Sequence, residues 1–150
     1  MLSIRQFLGT GKGDVDRIKR ICNEIDFEFD SCSQFLEYGS GVGRLVVNKP
    51  DSIKEINCVD FSSLHLVEAE ANLSKAKHAA ICKMNRIGCI YDLYKLPKNQ
   101  DIVHSLIFLH TTPPLIEKTV ATLLGLLSTG GVAILHISIA KAFYQFNVAS

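Results

Sequence analysis

Excess charge of either sign is missing from this chain, whose formal net charge is +1 and whose isoelectric point lies near 7.7. No broad field draws in polyanions, so neither nucleic acid nor an anionic membrane is favoured as a partner. Long apolar runs are missing too. The most apolar stretch, Gly131 to Ile139, is far too short to span a bilayer. The opening residues Met1 to Leu8 lack the apolar core and cleavage site of a signal peptide. The five cysteines (Cys22, Cys32, Cys58, Cys82, Cys89) are odd in number and lack CxxC spacing, so buried, reduced thiols in a cytoplasmic protein are expected. None of the five histidines stands at ligand spacing from a cysteine pair, and no metal site is expected. No repeat or low-complexity segment interrupts the chain.

What remains is globular material. The 150 residues are 47% hydrophobic and 21% charged, enough to bury the core of one domain. Gly9-Thr-Gly-Lys-Gly13 lacks the Gly-Lys-Ser/Thr ending of a phosphate loop and reads as a flexible lead-in. Asp14 then caps a helix to about Ile25, with Val15, Ile18, Ile21, Cys22 and Ile25 on one face. Short apolar runs follow at Gln34–Tyr38, Ile56–Val59, Ala79–Met84, Asp101–Leu106 and Val132–Ile137. Between them, Leu64–Ala76 and Leu115–Leu127 read as helices, the second opened by Pro113-Pro114 and ended by Gly130-Gly131. Strands alternating with helices predict a parallel, doubly wound α/β sheet. Pro50 falls where a helix should follow the first strand, so a short or broken helix is expected there.

The chemistry concentrates at Glu37-Tyr-Gly39-Ser-Gly41-Val-Gly43-Arg44. Glycines after a strand let backbone approach a ligand, and a following helix N-terminus favours polar groups. A dinucleotide fingerprint starting at Gly39 needs its third glycine at position 44, which is Arg44, and this disfavours an NAD-type domain. The ExGxGxG pattern instead resembles motif I of class I S-adenosylmethionine-dependent methyltransferases. Asp60-Phe-Ser-Ser63 resembles their segment after strand two. Asp101-Ile-Val-His-Ser105, with Leu109-His110-Thr-Thr-Pro-Pro114, resembles strand four and its continuation. Leu123 to Gly131 resembles the approach to strand five. The similarity runs from about Gly13 to Ile137 and is closest to the small-molecule type.

This resemblance implies a three-layer αβα Rossmann-like sheet of strand order 3-2-1-4-5, with S-adenosylmethionine as cofactor and a small-molecule O- or N-nucleophile as methyl acceptor. Glu37 would lie near the cofactor's amino-acid part, with Gly39, Gly41 and Gly43 against it. Asp60 would hold the ribose hydroxyls, although it would serve equally as a helix cap. Phe61 would pack beside the adenine, and Ser105 and Leu106 would line the methionine end. The adenine-side polar residue is Asn85 if strand three is Ala79–Met84, or Asp92 if it is Ile87–Tyr91. Asn85 is preferred, because Ile90–Leu96 reads better as a helix.

His110 is the acid–base candidate, since methyl transfer from a sulfonium needs alignment and a proton acceptor for the nucleophile. Bracing of its loop is the structural alternative. His104 and His136 read as satisfied strand residues, and His65 and His78 as surface ones. Against the family pattern, Thr111-Thr112 and Ser128-Thr129 are substitutions. After strand five only Lys141 to Ser150 remains where a helix and two strands are usual. A C-terminally shortened domain is therefore expected, either an active enzyme or a non-catalytic cofactor-binding or interaction module. Its fifth strand would lie open to pair with a second copy.

Overall fold

The computed structural model describes residues 3–74, 81–106 and 113–136. Among the described residues, four α-helices, α1 (Ile4–Gly9), α2 (Gly11–Glu24), α3 (Ser63–Leu73) and α4 (Pro113–Leu124), accompany five strands. The strands are β1 (Gln34–Tyr38), β2 (Glu55–Asp60), β3 (Cys82–Arg86), β4 (Gln100–Ser105) and β5 (Leu127–Leu135). They form one sheet in the order β3-β2-β1-β4-β5, and every pairing is parallel. This is the expected three-layer Rossmann-like arrangement.

The two sheet faces carry separate cores. Phe35, Ile56, Cys58 and Ile102 point to one face, where Val15, Ile18 and Cys22 of α2 and Leu66 and Leu73 of α3 cover them. Leu36, Val59 and Val103 point to the other, beneath Leu93 and Leu123. The inward residues of α2 recur at three- and four-residue intervals, the period of one helix face. Ile25 was expected there but is 53% exposed. The helix ends at Glu24, and Ile25 leaves the helical region at φ −114°.

Several boundaries differ from the sequence reading for tertiary reasons. Gly9–Gly13 is not a loose lead-in: it joins α1 to α2. A Cβ on Gly11 would lie 2.0 Å from the Arg44 carbonyl oxygen, so only glycine permits this approach. The Asn48 amide donates to the carbonyls of both Leu8 (2.8 Å) and Arg44 (2.9 Å), fastening the junction. Asp14 lies inside α2, with its carboxylate on Arg44 rather than on a helix end.

After the glycine turn only a 3-10 helix, Val46–Asn48, forms before Lys49 turns extended ahead of Pro50. Of the strand expected over Ala79–Met84, Ala79 and Ala80 lie outside the described residues and Ile81 precedes β3. α3 starts near its expected position, and the described helix ends at Leu73. Gly130-Gly131 does not end α4, which stops at Leu124; it lies within β5, where the register against β4 shifts. Ile90–Lys95 is helical as expected, but of the 3-10 type. None of the five cysteines is in a disulfide, yet Cys89 is exposed and Cys82 half-buried, so only Cys22, Cys32 and Cys58 meet the expectation of burial. Among the described residues, no helix is long and apolar enough to cross a membrane.

Candidate functional site

Parallel strands end together, and here the C-terminal ends of β1, β2 and β4 lie side by side. The loop leaving β1 bends through three left-handed glycines: Gly39 at φ 76°, Gly41 at 52° and Gly43 at 79°. Gly41 is the informative one. Nothing lies within 4 Å of where its Cβ would stand, so open space rather than crowding faces it. Gly43 instead packs on Ala69 of α3.

Asp60 at the end of β2 ties this loop down. One carboxylate oxygen accepts from the Gly41 N–H (2.9 Å) and the other from the Ser62 N–H (2.8 Å). The α3 cap is therefore Ser62, whose hydroxyl accepts from the His65 N–H, and not Asp60. His65 Nδ1 lies 3.4 Å from Asp60 and remains largely exposed, as expected of it. A carboxylate has about four acceptor positions, so two amide bonds leave capacity for ribose hydroxyls. Phe61 is 53% exposed, and its ring meets Tyr38 edge-on at 6.3 Å.

Glu37 lies behind the loop and is only 4% exposed. Its Oε2 has no hydrogen-bond partner among the described residues. Burial pushes its pKa up to about 8; Arg44 pulls it down, while Asp14 and Asp60 push it up. His104, in register with Glu37 on β4, is equally enclosed, and its Nδ1 has no partner among the described residues. It is not the satisfied histidine the sequence suggested. Burial pushes its pKa down to about 4, with Asp14 opposing and Arg44 adding to the shift. Ser105 is fully buried, its hydroxyl without a partner among the described residues, and Leu106 packs against the α2-side core. His136 follows β5 rather than lying in it, with Nδ1 2.8 Å from the Leu106 carbonyl oxygen.

The adenine-side question takes a new form, because β3 contains Asn85 instead of ending before it. The Asn85 amide donates to the Lys83 carbonyl at 3.0 Å, and more weakly to Asn57 and Cys58 of β2. Asp92 closes the following turn by accepting from the Gly88 and Cys89 N–H groups and from Lys95. These partners hold its carboxyl well below the usual carboxylate range. Both residues border one cleft of about 550 Å³ with Arg86 and Ile87. His110, Thr111-Thr112 and His78 lie outside the described residues. Among the described residues, no group of His, Cys, Asp and Glu could hold a metal ion.

Sequence reasoning missed two members of this region. One is the Arg44–Asp14 ion pair, which also takes Thr10 as a partner and sets the guanidinium over the Phe7 ring. The other is the juxtaposition of His104 with Glu37. Both depend on strand register and helix docking, for which a linear motif gives no signal.

No protein-family profile and no curated protein matches this chain in sequence. Solved structures match it in fold. It is similar to CalS10, an amino pentose methyltransferase from Micromonospora echinaspora solved with S-adenosylmethionine bound (TM-score 0.66, 18% identity, 90% of this chain and 56% of that one). It is also similar to magnesium protoporphyrin IX methyltransferase from Synechocystis PCC 6803 with bound S-adenosylhomocysteine (TM-score 0.61, 16% identity, 85% and 57%). An S-adenosylmethionine-dependent methyltransferase from Clostridium acetobutylicum matches at TM-score 0.60 and 21% identity, over 89% of this chain and 50% of that one. The chain thus spans about half the length of the structures it matches. Its fold is the Rossmann-like fold of the class I S-adenosylmethionine-dependent methyltransferases.

Proposed function

We propose that this chain binds S-adenosylmethionine across the ends of β1, β2 and β4 and directs its methyl group to a small-molecule O- or N-nucleophile. The observation that carries this is the glycine loop tied to Asp60, with Glu37 behind it carrying a carboxyl oxygen, Oε2, that has no partner among the described residues. The residues present suit that cofactor. Gly39, Gly41 and Gly43 give backbone against which its amino-acid part can lie, and Glu37 offers an anion to its ammonium. Asp60 retains acceptor capacity for the ribose, and Phe61 gives the adenine an apolar edge. Ser105 and Leu106 would close the methionine end, with Asn85 preferred over Asp92 on the adenine side.

When bound, the cofactor supplies an electrophilic methyl group on a sulfonium. The chain's task is then alignment, exclusion of water and acceptance of one proton from the nucleophile. We assign that proton to His110, whose ordinary pKa of about 6.5 suits it. Transfer of radiolabelled methyl groups to a panel of small hydroxyl and amine acceptors tests this assignment. His110→Ala should lower turnover about 100-fold with affinity for S-adenosylhomocysteine unchanged. An equal loss of cofactor binding would make His110 a brace for its loop. The alternative is a non-catalytic cofactor-binding or interaction module. Cofactor binding without transfer to any acceptor would support it.

A further inference from the structure

Glu37 and His104 pair in register on adjacent parallel strands, so their side chains leave the same sheet face with Cβ atoms on the order of 5 Å apart. They are 4% and 1% exposed, and each carries a buried atom without a partner among the described residues, Glu37 Oε2 and His104 Nδ1. Orphaned polar atoms are rare in protein interiors, and two on neighbouring residues point to one missing interaction. Phe35 lies 6.2 Å from the His104 ring and limits where the imidazole can swing. The charged and titratable groups that face the pair are Asp14 from α2, Arg44 from the glycine turn, and Cys58 and Asp60 from β2. Asp14 and Arg44 pair with one another, and both act on Glu37 through their charge.

We propose that His104 is a positioning residue for Glu37: its neutral imidazole donates an N–H to the Glu37 carboxylate that forms when a cationic ligand group arrives, so that ligand binding and proton release are coupled. This rests on the proposed cofactor reading to the extent that the arriving group is the α-ammonium of S-adenosylmethionine. The balance is simple. The ligand-free chain holds Glu37 as a neutral acid; binding forms a carboxylate–ammonium pair and releases one proton to solvent. Burial that raises the carboxyl pKa to about 8 agrees with a neutral acid in the free chain at neutral pH. Burial that lowers the imidazole to about 4 agrees with a histidine that stays neutral and keeps one N–H to donate.

Two measurements test the coupling. Calorimetric titration with S-adenosylhomocysteine, repeated at several pH values and in buffers of different ionisation enthalpy, should show one proton released near pH 7. Affinity should rise about tenfold per pH unit up to pH 8 and then level. His104→Phe keeps an aromatic ring beside Phe35 but removes the donor. It should weaken binding at pH 7 about tenfold and move the levelling point to higher pH, and His104→Asn should restore part of the affinity. A pH-independent loss in His104→Phe, or binding without proton release, overturns the proposal.

The second measurement needs no ligand. An infrared titration should show a protonated-carboxyl band that is absent in Glu37→Gln and shifted in its midpoint by His104→Phe. If the chain binds no S-adenosylhomocysteine but this shift occurs, the pairing stands and the cofactor reading falls. If it binds with no pH dependence and no shift, the cofactor reading stands and the pairing falls.

Discussion

Asp60 does two jobs at once, and its substitution reads out both. Its carboxylate fixes the Gly41 and Ser62 amides, and in the proposed site it also receives the ribose hydroxyls. Removing a charged acceptor costs about 1.5–3 kcal/mol, so Asp60→Ala should weaken S-adenosylhomocysteine binding by roughly 10- to 150-fold. Calorimetry checks this, and undiminished affinity would refute the ribose assignment. Glu37 and His104 also set the pH dependence of stability, with opposite signs. Glu37 has a folded-state pKa of about 8 against an ordinary 4.5, so the folded chain holds its proton more tightly and loses stability as pH rises from 4.5 to 8. His104 has its pKa lowered from 6.5 to about 4, so stability is lost as pH falls through that window. Glu37→Gln should accordingly raise the thermal midpoint at pH 8 and leave it nearly unchanged at pH 4. A pH-scanned thermal melt checks the pattern, and an equal effect at both ends would contradict it.

At the scale of elements, Ser62 is the clearest single control. Its hydroxyl caps α3 by accepting from the His65 N–H at 3.2 Å. Ser62→Ala should cost about 1 kcal/mol of stability in denaturant unfolding. Much of this level was legible in the sequence. The alternation of apolar runs with helical patterns announces the parallel sheet, and the glycine spacing places the loop after β1. The rest was hidden because the deciding contacts are distant in sequence. Gly11 becomes helical because it must pass the Arg44 carbonyl, and Gly130-Gly131 enters a strand because β4 receives it with a shifted register. Asn85 lies within β3 because β2 extends to Asp60 and pairs Val59 with it. Glu37, by contrast, was readable from its motif, while the histidine beside it was not, since register alone brings the two together.

At the scale of the whole molecule, the described sheet ends at β5, which pairs with β4 alone. Val132 to Leu135 carry no charge or proline, the usual devices that keep an edge from pairing with another chain. Phe143–Phe146, which the sequence suggests as a partial cover, lies outside the described residues. We therefore propose self-association through β5, and light scattering over a concentration series should give a mass above 16.6 kDa. A clean monomer with slow amide exchange along Val132–Leu135 would mean that this edge is covered within the chain. Whatever its assembly, the claim on which the account depends is that the glycine loop and Asp60 form a site for S-adenosylmethionine. Calorimetric titration of the chain with S-adenosylhomocysteine, run beside NAD, tests it most directly. The account predicts saturable, one-to-one binding of S-adenosylhomocysteine in the micromolar range and no heat from NAD. Tighter binding of NAD, or no binding of S-adenosylhomocysteine, would contradict it.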